Sequence, residues 1–248
     1  MGTEDTKVAL VTGGAQRIGA HLCRTLHEVG YHVALHYRSS ADAAHVLAAD
    51  LNELRNGSVH CFQAALGSHG ASKLLAGEVL EHFGRVDLLL NNASTFYPTP
   101  LGTVDEEDWD AIVGSNLRGP FFLSQALAES LTQSRGNIIN MIDIHGERPL
   151  ADHSVYSTAK AGLAMVTRSL ARELAPDVRV NGVAPGVILW PQSDETEDDA
   201  RRKRQLQRVP LGHQGDPQDI AETVLFLAER APYVTGQIIA VDGGRSLT

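Results

Sequence analysis

"VALVTGGAQRIGAHL", residues 8–22, carries a β-branched run into two glycines and then into an amphipathic segment. Gly13 and Gly14 permit a tight turn at the end of a strand, and Gly19 lets a helix pack close against it. The first N–H groups of that helix have no partner within it, so with the helix dipole they form a receptor for a pyrophosphate. Gly13, Arg17, Ile18 and Gly19 are therefore the first cofactor-binding candidates. A glycine pattern in isolation is weak evidence. One that ends the first strand of a strand–helix alternation is strong.

That alternation runs the length of the chain. Residues 7–12, 31–37, 58–64, 86–92, 136–142, 178–184 and 236–242 read as strands, and amphipathic segments lie near 17–29, 41–55, 70–83, 106–133, 155–175 and 216–230. Near-continuous apolar strands separated by helices predict an α/β fold: a doubly wound, seven-stranded parallel sheet with helices on both faces. No linker, repeat or low-complexity stretch interrupts residues 1–248, so one Rossmann-type domain is expected.

Composition excludes several functions. The net charge of −9 opposes a nucleic-acid partner, which needs a basic face. Two cysteines, Cys23 and Cys61, make no disulfide framework and suit a reducing, cytoplasmic compartment. No run approaches the ~18 apolar residues of a membrane span. The 11 histidines are scattered without metal-ligand spacing, so no metal is expected. "MGTEDT" fits a myristoylation template, but its acidic residues lead straight into a strand; the sequons at Asn56 and Asn92 follow no signal peptide.

"SDETEDDARRKRQLQR" (193–208) joins an acidic half to a basic half. Glu197–Arg201, Asp198–Arg202 and Asp199–Lys203 pair at i,i+4 with the acid first, the favourable order for a solvated helix. Leu206 and Val209 are then free to face inward. Because this stretch follows "APGVILWP", a mobile flap over a pocket is expected at 187–209.

The end of the second strand selects the dinucleotide. An acid there would bond a ribose 2′-hydroxyl and repel a 2′-phosphate. "LHYRSS" instead offers His36, Tyr37, Arg38, Ser39 and Ser40, with one cation, two serine hydroxyls and no carboxylate, which favours NADPH. Arg17 adds a fixed charge beside the phosphates, within reach of a substrate edge. Ala65 replaces an aspartate often found against the adenine amine, leaving Leu66 to supply backbone contacts. Asn92, Ala93 and Ser94 finish the fourth strand along the cofactor, and Asn116 sits in a helical stretch that asparagine disfavours.

Tyr156 and Lys160 stand at i,i+4, so both can point the same way from one helix. A free tyrosine is a poor acid at neutral pH. A neighbouring ammonium, with the oxidised nicotinamide ring, would favour the phenolate and make Tyr156 a usable proton donor.

"TGGAQRIG", "NNA", Asn116, "YSTAK" and "NGVAPG" together resemble the short-chain dehydrogenase/reductase family across essentially the whole chain. Within it, "HYRSS", "NNASTFYPTPL", Asp143 and "VDGGRSLT" resemble the pteridine reductases. The resemblance implies NADPH as hydride donor, a homotetramer, and a pterin or folate substrate stacked against Phe96. It implies Asp143, Tyr156 and Lys160 as the catalytic set; Asn116, read from its place in the helical stretch, either bonds buried backbone or holds a water in a proton relay. Arg17 and Ser94 would hold substrate and cofactor, Pro185, Gly186 and Ile188 would follow the dinucleotide, and Val187, Leu189 and Trp190 would line the far wall. Proteins with the tyrosine–lysine pair normally carry a serine where Asp143 stands; a pterin, which accepts protons on ring nitrogens, gives an acid there a purpose. The bulk of Trp190 favours a compact pterin such as dihydrobiopterin or dihydromonapterin over dihydrofolate. A 3-oxoacyl-type carbonyl reductase and a non-catalytic NADPH sensor are the competing functions.

Overall fold

The computed structural model describes residues 6–190 and 199–248. Seven strands, β1 (Val8–Val11), β2 (His32–Tyr37), β3 (Val59–Gln63), β4 (Leu88–Asn91), β5 (Asn137–Met141), β6 (Arg179–Pro185) and β7 (Ile238–Val241), form one sheet. Their order is β3-β2-β1-β4-β5-β6-β7, with every neighbouring pair parallel. The helices are α1 (Arg17–Glu28), α2 (Ala41–Leu54), α3 (His69–Phe83), α4 (Glu106–Val113), α5 (Gly119–Ser134), α6 (Ser154–Glu173), α7 (Asp199–Leu206) and α8 (Pro217–Leu225).

The two-residue period of a strand divides the core into two layers. Ala9, Val11, Val33, Leu35, Leu88 and Leu90 pack with Leu22 and Leu26 of α1, Leu47 of α2 and Val224 of α8. The intervening Leu10, Ala34 and Leu89 pack on the opposite face with Leu75 of α3, Leu127 of α5 and Leu170 of α6. Both strand faces are apolar because both are covered, which is why the sequence shows continuous rather than alternating runs.

After β3 the chain crosses back past β1 to lay down β4, so the winding direction reverses between β1 and β4. Loops leaving those two strands diverge to opposite faces and open a crevice at their carboxyl ends.

The single helix expected over 106–133 is continuous in the chain but changes pitch. A π-helical turn, Gly114–Arg118, separates α4 from α5, and the Gly119 N–H donates to Gly114 O. Pro120 has no N–H to offer the Asn116 carbonyl one turn earlier, so the regular ladder cannot continue there. The helix expected over 216–230 likewise ends in a π turn, Phe226–Arg230, after an N-terminus closed by an Asp216–Asp219 capping box. Of the helix expected over 193–208, the structure shows α7; residues 191–198 and the three ion pairs read there lie outside the described residues. Val209 is buried and Leu206 half-buried, facing inward as the pattern required.

Candidate active site

A cleft of about 1050 Å³ occupies the carboxyl ends of the strands. It is floored by the turn after β1, walled by the loops after β2, β3 and β4, and closed by Tyr156 of α6, the segment Gly186–Trp190 and the C-terminal turn.

The β1 turn is built for close approach. Gly13 has a φ of 63°, and a Cβ on Gly19 would lie 2.1 Å from Gly13 O. Gln16, the N-cap of α1, makes no side-chain bond to the helix, so the first amides stay open to the cleft. Arg17 also has a left-handed φ, 53°, a conformation that glycine adopts most readily. Its Nη2 donates to the carbonyls of Leu189 (3.3 Å) and Trp190 (3.0 Å), so this side chain ties the glycine loop to the far wall. Arg202 lies over the Trp190 ring at 5.5 Å, continuing that wall onto α7.

His36 lies beneath the same turn. Its Nδ1 accepts from the Gly13 N–H (3.2 Å) and its Nε2–H donates to Ala64 O (3.0 Å). Burial pushes its pKa down to about 4, so the ring is the neutral tautomer those two bonds require. Sequence reasoning missed Thr12. Its hydroxyl donates to Leu90 O and accepts from the N–H groups of Asn92 and Ala93, while Asn92 Nδ2 donates to Thr12 O and Gly13 O. The Asn92 side chain thus staples the β1 and β4 loops together at the wall of the cleft.

At the other end of the cleft, residues 36–40 line the wall without a carboxylate. Ser40 is the N-cap of α2 yet makes no side-chain cap bond, which leaves its hydroxyl beside Arg38 and Ser39 for an anion.

Asn116 is fully buried in the π turn and does not line the cleft. Its Nδ2 donates to Thr95 O and Ile112 O, and its Oδ1 accepts from the Ser94 hydroxyl (2.8 Å). Pro185 and Ile188 also stay off the cleft: Pro185 pairs with Val241 in the sheet, and Ile188 packs in the core with its carbonyl accepting from Gln214. Leu66, Ala93, Ser94, Gly186, Val187, Leu189 and Trp190 do line it.

Asp143 begins a one-turn helix, Ile144–Gly146, just past β5. One carboxylate oxygen accepts from the His145 N–H (2.8 Å) and the other from the Tyr156 hydroxyl (2.8 Å). Lys160 is buried one turn along α6, and its ammonium donates to Met141 O at 2.8 Å. It sits 5.6 Å from the centre of the Tyr156 ring, and burial lowers its pKa to about 8, with Asp143 working against that shift. The phenol itself is pushed well above its usual value, by burial first and then by the Asp143 charge and hydrogen bond, with Ser94 opposing. Among the protein's own groups, the Asp143 contact raises the phenol and no lowering by Lys160 offsets it. Lys160 is aimed at a backbone carbonyl, whereas Asp143 is in direct contact.

Phe96 remains 46% exposed at the cleft, stacked on His153 (centroids 4.7 Å) and edge-on to Tyr156 (4.8 Å). His153 and Arg245 line the cleft and were not singled out in the sequence.

A strand-turn-helix anion receptor at the sheet's switch point, with a tyrosine–lysine pair beyond the fifth strand, defines a dinucleotide-dependent reductase. A family model described as enoyl-(acyl carrier protein) reductase matches residues 13–246. The chain belongs to the short-chain dehydrogenase/reductase family, whose oxidoreductases work with nicotinamide cofactors. It is 37% identical to pteridine reductase 1 of Leishmania tarentolae over 97% of this chain and 96% of that protein. It is also 37% identical to a 3-oxoacyl-(acyl-carrier-protein) reductase of Staphylococcus aureus (96% and 98% covered). The corresponding reductase of Thermotoga maritima is 33% identical over 96% of this chain and 97% of its own length.

Proposed function

We propose that this protein is an NADPH-dependent reductase of dihydropteridines, forming their tetrahydro products. The observation that carries this reading is the 2.8 Å bond between the Tyr156 hydroxyl and Asp143, beside an accessible Phe96 ring. A ketone reductase stabilises developing negative charge on oxygen, and a carboxylate at that spot would repel it. A pteridine takes up protons on ring nitrogens, where no oxyanion forms.

The open amides of α1 would hold the pyrophosphate, and Arg38, Ser39 and Ser40 the 2′-phosphate. When bound, the reduced nicotinamide supplies the hydride. This chain's residues supply the proton. A lone Tyr156 losing its proton beside the Asp143 carboxylate would create two adjacent negative charges. The phenol passes its proton to the ring nitrogen as a solvent proton reaches it by way of the Asp143 carboxylate, so no phenolate accumulates. Lys160 keeps a positive charge beneath the ring, and Arg17 clamps Leu189 and Trp190 so that the wall facing Phe96 is fixed. We expect a cytoplasmic homotetramer; the flap expected at 187–209 includes residues 191–198, which lie outside the described residues.

The equal 37% identity to an oxoacyl reductase favours carbonyl reduction as the second reading. Initial rates with NADPH and dihydrobiopterin, set against acetoacetyl thioester, decide between them. Faster turnover of dihydrobiopterin is expected, and preference for the thioester reverses the assignment. Tight NADPH binding with no turnover of either would indicate a sensor.

A further inference from the structure

Outward from Tyr156 the cleft ends on the turn that follows β7. Asp242 fixes this turn: its two carboxylate oxygens accept from the N–H groups of Gly244 (2.9 Å) and Ser246 (2.6 Å). The Leu211 N–H donates to Gly243 O, and the Thr248 hydroxyl donates to Arg208 O, which pins the turn to the chain leaving α7. Held this way, the turn presents Arg245 at the cleft wall alongside Asp143 and Gln205.

The Arg245 side chain is half-buried, and among the described residues it makes neither a hydrogen bond nor an ion pair. Asp143 acts on it through charge without a hydrogen bond, its two oxygens accepting from His145 and Tyr156. Asp242 is likewise engaged by backbone. Burial lowers the pKa of Arg245 and Arg208 adds to that, whereas the charges of Asp143 and Asp242 oppose it. Arg208, exposed on the chain leaving α7, lies close enough to add its positive charge to that of Arg245. A partly desolvated guanidinium with no acceptor is costly, and its planar fork suits a carboxylate or phosphate.

We infer that Arg245 is a specificity-determining residue that binds an anionic group on the part of the substrate extending outward from Tyr156. Resting on the pteridine assignment, this names the substrate class as dihydropteridines with an acidic tail, such as dihydrofolate. Neutral hydroxyalkyl pterins, which the bulk of Trp190 favours on sequence grounds, become the poorer substrates.

The test compares kcat/KM for dihydrofolate and dihydrobiopterin in the wild type, Arg245→Met and Arg245→Lys, with NADPH binding checked in each. The dihydrofolate-to-dihydrobiopterin ratio should fall about ten- to a hundredfold in Arg245→Met, chiefly through KM, and recover in part in Arg245→Lys. An unchanged ratio, or a fall carried by kcat alone, overturns the inference. If neither pteridine is reduced, the functional assignment fails separately. The same variants are then compared on acetoacetyl thioesters of phosphopantetheine and of N-acetylcysteamine. Selective loss for the phosphate-bearing thioester retains Arg245 as the anion site, and equal loss rejects it.

Discussion

At the scale of single residues, the catalytic chemistry turns on which neighbour touches the Tyr156 hydroxyl. Asp143 does, at 2.8 Å, and it holds the phenol protonated. Replacing the carboxylate with a hydroxyl, Asp143→Ser, should therefore lower the tyrosine pKa, as read by ultraviolet difference titration. The same change should cut dihydropteridine turnover by the ~10²-fold or more typical of lost general acid catalysis, while ketone reduction rises. Tyr156→Phe should lose at least as much turnover and leave NADPH binding intact by fluorescence titration. Lys160, lowered to about 8, carries its charge below that value and loses it above. Activity that needs this charge should fall as pH rises through about 8, which an initial-rate pH profile will show.

Among the elements, most of what positions the site was legible in advance because it is local. A strand period, a glycine turn and an i,i+4 pair are each written in a few consecutive residues. The contacts that escaped notice are those made across long separations: Thr12 reaches residues 90–93, and Arg245 returns to the cleft from the last turn. Spacing put Lys160 on the face of Tyr156 but could not show that its ammonium points at Met141 O. It also marked Asn116 as a poor helix former without revealing the π turn that accommodates it. His36 joins these two kinds of information. It was read as a cofactor residue from its place after β2, and the structure puts its ring under the β1 turn as an acceptor for Gly13. Its folded pKa near 4 lies below the ordinary 6.5, so its share of stability is complete above pH 6.5 and is lost as pH falls toward 4. That share is on the order of 3 kcal/mol. His27 and His60 are also lowered by burial and add to the same acid limb. Urea unfolding at pH 7 and pH 4.5 should show a smaller difference in His36→Gln than in the wild type, together with weaker dinucleotide binding.

For the molecule as a whole, a net charge of −9 surrounds a cleft that must attract a polyanion. The fold reconciles the two by supplying charge locally. The first amides of α1 are uncapped by Gln16, and residues 36–40 line the cleft with Arg38, two serines and no carboxylate; we propose the former for the pyrophosphate and the latter for the adenosine end. Backbone amides serve either dinucleotide equally, since both carry the pyrophosphate. Discrimination between the two must then come from the side chains that meet the 2′ position, and Arg38 is the one cation among them. Its removal takes away a charge-assisted bond from the phosphorylated ribose and nothing from the unphosphorylated one. Arg38→Ala should raise the Kd for NADPH by about ten- to a hundredfold, with a much smaller change for NADH, in parallel calorimetric titrations. Equal losses for both dinucleotides would mean that Arg38 braces the β2 loop without meeting the phosphate, and the source of cofactor preference would have to be sought in Ser39 and Ser40.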